Sequence, residues 1–395
     1  MDINERSLEL GSKRSVIREL FEYGKKRKAE IGADKVFDFS LGNPSVKPPK
    51  KVEETLESLL LTSDSTALHG YTSAQGDLAT RTAVANSLNK LCDFEISPNF
   101  IYMTCGAAAS LTVSLKAIIN SGDECIVFAP FFTEYRVFIE NADGKVVISA
   151  PDEKTFQIDF NDLITKITAK TKAVIINSPN NPSGVVYTAE TVKKLSDILR
   201  KKSEEMGHII YLISDEPYRE LVYNNQKIPF VMNFYDNSIV CYSYSKSLSL
   251  PGERIGYIAV SPKCEDAAKL YNAVCGAGRS LGFVCAPSLF QKLIKECADL
   301  TVDTSAYKEN RDILYENLTS YGYKCVKPDG AFYLLVNCFG LDANVFSEKA
   351  KKHEILVVPC DDFGIKGYVR VAYCVSKETI VNSLPAFKAL AKEFN

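Results

Sequence analysis

Lys172-Ala173-Val174-Ile175-Ile176 runs into Asn177-Ser178-Pro179-Asn180-Asn181-Pro182-Ser183-Gly184, a short apolar stretch that stops at a polar turn stiffened by prolines. A run this short, apolar at consecutive positions and rich in β-branched residues, reads as a strand buried on both faces. The same form recurs at 124–128 (Glu-Cys-Ile-Val-Phe), 145–149, 209–213, 238–242 and 256–260, with amphipathic segments between the runs. Alternation of this kind predicts a mostly parallel sheet covered by helices, an α/β fold.

Upstream, residues 13 to 31 place Val16, Ile17, Leu20 and Phe21 at helical spacing up to Gly32, and Lys35-Val36-Phe37-Asp38-Phe39 reads as a short strand. A Gly-Asn-Pro turn follows at Gly42 to Pro44. Downstream, helical periodicity through Leu289, Leu293, Ile294, Tyr307, Ile313, Leu314 and Leu318 predicts one long connecting helix over 287–321. Strand-like segments then come at 331–336, 355–359 and 368–374, with helices near 343–352 and 376–392. The expected organisation is a large domain over 46–295 and a smaller α/β domain assembled from 1–45 and 296–395. No repeat or low-complexity linker interrupts it.

Composition removes several function classes. Over 395 residues, 47 basic side chains nearly balance 49 acidic ones, and the longest basic run, Lys25-Lys26-Arg27-Lys28, falls on a predicted helix face. Such a run is a solvated surface, so no nucleic-acid partner is expected. The 12 cysteines contain no C-x-x-C and only 3 histidines accompany them, so no metal site is expected and the thiols read as reduced. Met1-Asp2-Ile3-Asn4-Glu5-Arg6 is polar, and no stretch approaches the ~18 apolar residues of a membrane span. The expectation is a cytoplasmic protein with no membrane partner.

The chemistry centres on Ser243-Tyr244-Ser245-Lys246-Ser247-Leu248-Ser249-Leu250-Pro251-Gly252-Glu253-Arg254-Ile255-Gly256. A lysine that forms a Schiff base with an aldehyde cofactor must stay oriented, and an arginine eight residues on can clamp a phosphate of the same molecule. Both needs point to pyridoxal 5'-phosphate. Open α/β sheets bind ligands beyond the carboxyl ends of their strands, and the run 209–213 leads into Ser214-Asp215-Glu216-Pro217-Tyr218. There Asp215 can hold a proton on a pyridine nitrogen, and Tyr218 can donate to a ring hydroxylate. Cys105-Gly106-Ala107-Ala108-Ala109-Ser110 follows another strand-like run and opens a helix, whose first amides suit a phosphate.

Ser243–Gly256, with the motifs at Asn181 and Asp215, resembles the class I/II aminotransferases of the fold-type I pyridoxal-phosphate superfamily, whose lysine segment has this S-x-S-K and later E-R-x-G form. The resemblance runs in family order from about residue 35 to 375. It implies a catalytic trio of Lys246, Asp215 and Tyr218, with Asn181 on the same ring oxygen as Tyr218. It also implies phosphate contacts from Gly106, Ala107, Ala108, Ser243, Ser245 and Arg254, and a stacking ring from Phe132. For substrate it implies Arg370 on the α-carboxylate, aided by Gly42, Asn43 and Asn181. Tyr71, in His69-Gly70-Tyr71, matches a tyrosine that reaches the neighbouring subunit's cofactor phosphate, which makes the protein a homodimer with a shared site. The implied reaction moves an amino group from an L-amino acid to a 2-oxo acid through a Lys246 aldimine and pyridoxamine phosphate.

Four other readings compete. Ser243-Tyr244-Ser245-Lys246 also satisfies S-x-x-K, the nucleophile motif of penicillin-recognising enzymes, but the S-D-N and K-T-G partners are missing. A C–S β-lyase uses the same aldimine chemistry, and a non-catalytic cofactor-binding regulator would not need the retained lysine. Gly276-Ala277-Gly278-Arg279-Ser280-Leu281-Gly282 is glycine-rich but spaced wrongly for a dinucleotide loop. The donor side chain stays open: the position where one aspartate-specific branch places a lysine is Ala108, with Arg279 the nearest alternative cation.

Overall fold

In a computed structural model, which describes residues 3–12 and 15–394, the predicted apolar runs form one seven-stranded sheet. Its spatial order is Ile101–Thr104, Gly256–Val260, Ser238–Ser243, Tyr211–Asp215, Thr171–Asn177, Glu124–Phe128 and Lys145–Ser149. Only Gly256–Val260 runs against its neighbours. The central strands are buried along nearly their whole length because helices cover both faces, which explains their unbroken apolar runs. The helix Ala189–Met206 is typical: Thr188 caps it, Val192, Leu195 and Leu199 face inward, and Gly207 ends it in the left-handed region.

A separate antiparallel sheet joins Val358–Pro359, Tyr368–Ala372 and Tyr333–Asn337, and Phe37–Asp38 pairs in parallel with Ile355–Leu356. A segment near the start of the chain thus pairs with one near its end. The helices Ala343–Lys351 and Lys377–Ala391 also lie where they are predicted. Among the described residues no helix is long and apolar enough to cross a membrane.

Four expectations change. The single helix over 287–321 is two, Ser288–Cys297 and Ser305–Ser320, because Asp303 accepts from the amide of Ser305 at 2.9 Å and starts a new helix. The intervening Val302 amide donates to Ser247 O at 2.8 Å, so the break props the segment carrying Lys246. The run 355–359 divides at Val357 between two sheets. The strand read at 209–213 is Tyr211–Asp215, which makes Asp215 the last strand residue instead of the second turn residue. At the N-terminus an unanticipated helix, Glu5–Ser12, buries nothing and is held by Arg6 donating to Glu140 O at 2.7 Å. Residues 13 and 14 of the predicted helix lie outside the described residues, and the helix runs Val16–Ile31 with Gly32 as its cap. The glycine-rich stretch from Gly276 belongs to the helix Ala267–Ser280.

Gly256 begins the antiparallel strand where two loops touch: a Cβ there would lie 2.2 Å from Tyr242 O and 3.0 Å from Gly106 Cα. Both obstacles are backbone and cannot swing aside. Gly256→Ala is expected to cost about 2 kcal/mol or more, read as a lowered denaturation midpoint at unchanged slope.

Candidate active site

The carboxyl ends of the central strands open onto a cavity of about 490 Å³, closed on its far side by Tyr333 and Arg370 of the smaller sheet. The cavity wall includes Lys246, Asp215, Tyr218, Asn181, Ser243, Ser245 and Arg254. Ala107, Ala108, Phe132, Gly42 and Arg370 complete the predicted residues found there. Gly106 sits just behind as the cap of the helix Ala107–Ile118. Two predicted residues are not brought in: Asn43 is exposed outside the cavity, and Tyr71 is 98% exposed. Arg279, near the end of its helix, does not line the cavity of its own chain.

Asp215 is buried, and its Oδ2 accepts from Tyr135 Oη at 2.5 Å while Oδ1 has no hydrogen-bond partner. Burial raises its pKa to about 7, against the opposing Tyr135 hydrogen bond. An orphaned, desolvated carboxylate oxygen at a ligand cavity asks for a proton donor from the ligand. Tyr135 is a partner of Asp215 to which the sequence assigns no role. It sits three positions after Phe132, and its amide bonds Phe132 O at 3.0 Å.

Lys246 occupies the four-residue helix Tyr244–Ser247, which follows strand Ser238–Ser243 directly. Its Nζ donates to Gly42 O at 2.8 Å. Burial lowers its pKa to about 8, with Arg370 and Arg254 pushing the same way and Cys374 opposing. An amine so placed is a nucleophile and base near neutral pH. Ser243 Oγ pairs with Ser245 Oγ at 2.6 Å, while the lysine amine is committed to Gly42, so the serine-nucleophile arrangement is not built.

Arg254 adopts φ 53°, its Nη1 bonds Pro251 O at 2.8 Å, and its guanidinium lies against Gly106. A Cβ on Gly106 would stand 2.9 Å from Arg254 Nη2, and that glycine has φ 89°, so only glycine permits this approach. The first amides of the helix behind it have no intrahelical acceptor. Together with the Ser243 hydroxyl they fit a phosphate, and the orphaned Asp215 oxygen fits a ring nitrogen. The donor set suits a phosphorylated pyridine aldehyde.

Arg370 is 2% exposed yet has no carboxylate partner among the described residues. Its Nη1 donates to Asn181 Oδ1 at 3.1 Å and its Nη2 to Ser40 O at 2.7 Å, while Nε is buried without a partner. The rings of Tyr333 and Phe363 flank it at 4.6 and 5.3 Å. A buried guanidinium without a counter-ion is a receptor for an anion. Tyr333, also unforeseen, bonds Tyr218 Oη at 3.0 Å and leaves no room for a side chain at Gly42, where a Cβ would meet Tyr333 Oη at 1.9 Å.

Comparison with known proteins agrees with this geometry. Residues 34–386 match the family aminotransferase class I and II. A probable aspartate aminotransferase of Methanocaldococcus jannaschii is 31% identical, covering 96% of this chain and 97% of that protein. The aspartate aminotransferase of Pyrococcus horikoshii is also 31% identical, over 94% and 93%. A solved aminotransferase of Eubacterium rectale superposes with TM-score 0.98 at 56% identity over the full length of both chains. The Thermus thermophilus aspartate aminotransferase solved with maleate gives 0.85 at 25% identity, over 99% of this chain and 100% of that one. The chain therefore belongs to the class I and II aminotransferases, a pyridoxal-phosphate-dependent family acting on amino acids and 2-oxo acids.

Proposed function

We propose that this aminotransferase binds pyridoxal phosphate in the cavity and uses Lys246 to carry the transferred proton. The observation that carries the reading is the lysine amine, lowered to about 8, in one cavity with a partnerless Asp215 oxygen and a buried Arg370 lacking a counter-ion. The bound cofactor supplies an electron-withdrawing ring that accepts the pair left when the Cα proton departs. Asp215, steadied by Tyr135, keeps a proton at the ring nitrogen. Asn181 and Tyr218 bind the ring oxygen, and the Arg254 cup fixes the phosphate. Arg370 grips the α-carboxylate in its fork, and Gly42 keeps the wall beside Tyr333 open. Lys246 Nζ takes the proton from the substrate Cα and delivers it to the carbon that receives the amino group.

Exposed Tyr71 and Arg254 support a homodimer in which a second copy's Tyr71 reaches the phosphate. Asn43 is assigned to a loop that closes on the α-carboxylate when substrate enters. The proposed domain division, 46–295 against 1–45 with 296–395, sets the cavity between the two sheets. A cytoplasmic location completes the reading. The names of the relatives favour an acidic amino acid among the donors and favour amino transfer over the C–S β-lyase alternative.

The test is a panel of amino donors with 2-oxoglutarate or pyruvate, beside cystathionine alone. New amino acid and keto acid in equal amounts is the expected outcome; pyruvate and ammonia without an acceptor would overturn it. Lys246→Ala is expected to remove the visible absorbance of covalently held cofactor and to reduce turnover by about 10⁴-fold. Because capture of the aldehyde needs the unprotonated amine, reconstitution of apoprotein is expected to speed up with pH and level off above about 8.

Asp215 carries a stability consequence. Its folded pKa of about 7 lies above the usual carboxylate range, so the folded apoprotein binds this proton more tightly than the unfolded chain. That contribution is fully present below the ordinary carboxylate pKa and is lost as pH rises through about 7. Asp215→Asn is therefore expected to raise apoprotein stability at pH 8, by up to a few kcal/mol at ~1.4 kcal/mol per pKa unit, while lowering activity by at least about 100-fold. Thermal denaturation from pH 5 to 8 with parallel rate assays checks both.

A further inference from the structure

The helix Val16–Ile31 is anchored along one face, where Leu20 is buried in a cluster with Val185, Leu335 and Val358. In its last turns Arg27 bonds Glu354 at 3.0 and 3.1 Å, Lys28 pairs with Asp38 at 3.2 Å, and Gly24 lies so close to Leu356 that a Cβ would stand 2.7 Å from it. Its first turns instead project over the cavity, where Ile17, Arg18 and Phe21 form part of the wall. Residues three and four apart share one helical face, so these three side chains look the same way. Ser15 caps the helix by accepting from the amide of Arg18 at 3.4 Å, which fixes the backbone that presents the guanidinium.

Among the described residues four cations line this cavity, and three have proposed tasks: Lys246, Arg254 and Arg370. Arg18 has none, is exposed, and makes no ion pair among the described residues. The same wall carries apolar residues, among them Leu41, Leu111, Phe132 and Ala108. Among the described residues the one acidic group on it besides Asp215 is Glu134, which forms no ion pair with Arg18.

We infer that Arg18 is a specificity-determining residue: it binds the distal carboxylate of a dicarboxylic amino acid or 2-oxo acid whose α-carboxylate is held by Arg370. The inference rests on the aminotransferase reading of the cavity and adds to it which residue selects the side chain. A planar fork at the rim can take a carboxylate in two parallel hydrogen bonds. The apolar residues that share the cavity with the two arginines, Leu41, Leu111 and Phe132, suit the methylene chain that separates the carboxylates.

The test compares loaded wild-type enzyme, Arg18→Gln and Arg18→Lys, using 2-oxoglutarate as acceptor and then pyruvate or phenylpyruvate. In Arg18→Gln, kcat/KM for 2-oxoglutarate is expected to fall at least about tenfold relative to the monocarboxylic acceptors, mainly through KM, with part of the loss recovered in Arg18→Lys. Succinate, which carries two carboxylates but no reacting group, is expected to bind Arg18→Gln at least about tenfold more weakly by calorimetry. Equal losses for mono- and dicarboxylic acceptors, or an unchanged succinate Kd, would overturn the assignment. So would a preference for L-ornithine or L-lysine that disappears in Glu134→Gln. Amino transfer that is indifferent to Arg18 sinks only this inference, whereas a loaded enzyme that transfers no amino group sinks the reading beneath it.

Discussion

One side chain holds the site together, and it performs no chemistry. Asn177, the last residue of its strand, donates from Nδ2 to the carbonyl of Asp215 at 2.8 Å and accepts through Oδ1 from the amide of Asn181 at 2.7 Å. It thereby ties the end of one parallel strand to the end of the next, at the register where Asn177 and Asp215 are direct partners. The carboxylate, the asparagine beside it and the arginine bonded to that asparagine take their positions from this bridge. Such a link costs little because strands adjacent in the sheet already bring the groups within reach.

Around that bridge the empty cavity is electrostatically unfinished. Asp215 keeps an oxygen without a donor, and Arg370 keeps a buried Nε without an acceptor. Each is unfavourable in the folded chain alone, and a hydrogen-bond donor at the first and a carboxylate at the second would relieve it. The surrounding packing supports these groups: rings flank Arg370, and Tyr135 holds one oxygen of Asp215 in place. Binding energy is thus directed at groups set in position before the ligand arrives, which limits reorganisation during the reaction.

Most of the sheet was legible because parallel strands buried on both faces leave unbroken apolar runs, and three of those runs lead into Asn181, Asp215 and Lys246. Arg370 lies inside the strand Tyr368–Ala372 and was reached through the resemblance of its motif to the family. Tyr135 and Tyr333 could not, since their bonds to Asp215 and Tyr218 span 80 and 115 residues, and a tyrosine among apolar neighbours looks like core. The break between Cys297 and Ser305 was hidden by apolar spacing that continues across it, while the second helix starts afresh where the Asp303 carboxylate accepts from the Ser305 amide. Tyr71 and Asn43 carry motif signals, but a single chain leaves both in solvent.

The order of strands in the sheet also has a meaning for synthesis on the ribosome. The antiparallel strand Gly256–Val260 fills the gap between Ile101–Thr104 and Ser238–Ser243, so the sheet is continuous only after residue 260 has emerged. By then Gly106, Asn181, Asp215, Lys246 and Arg254 have all left the exit tunnel, whereas Tyr333 and Arg370 still await translation. The half of the cavity proposed to hold the cofactor is therefore made before the half proposed to grip the amino acid, and a ligand bound there early would steady the unfinished sheet.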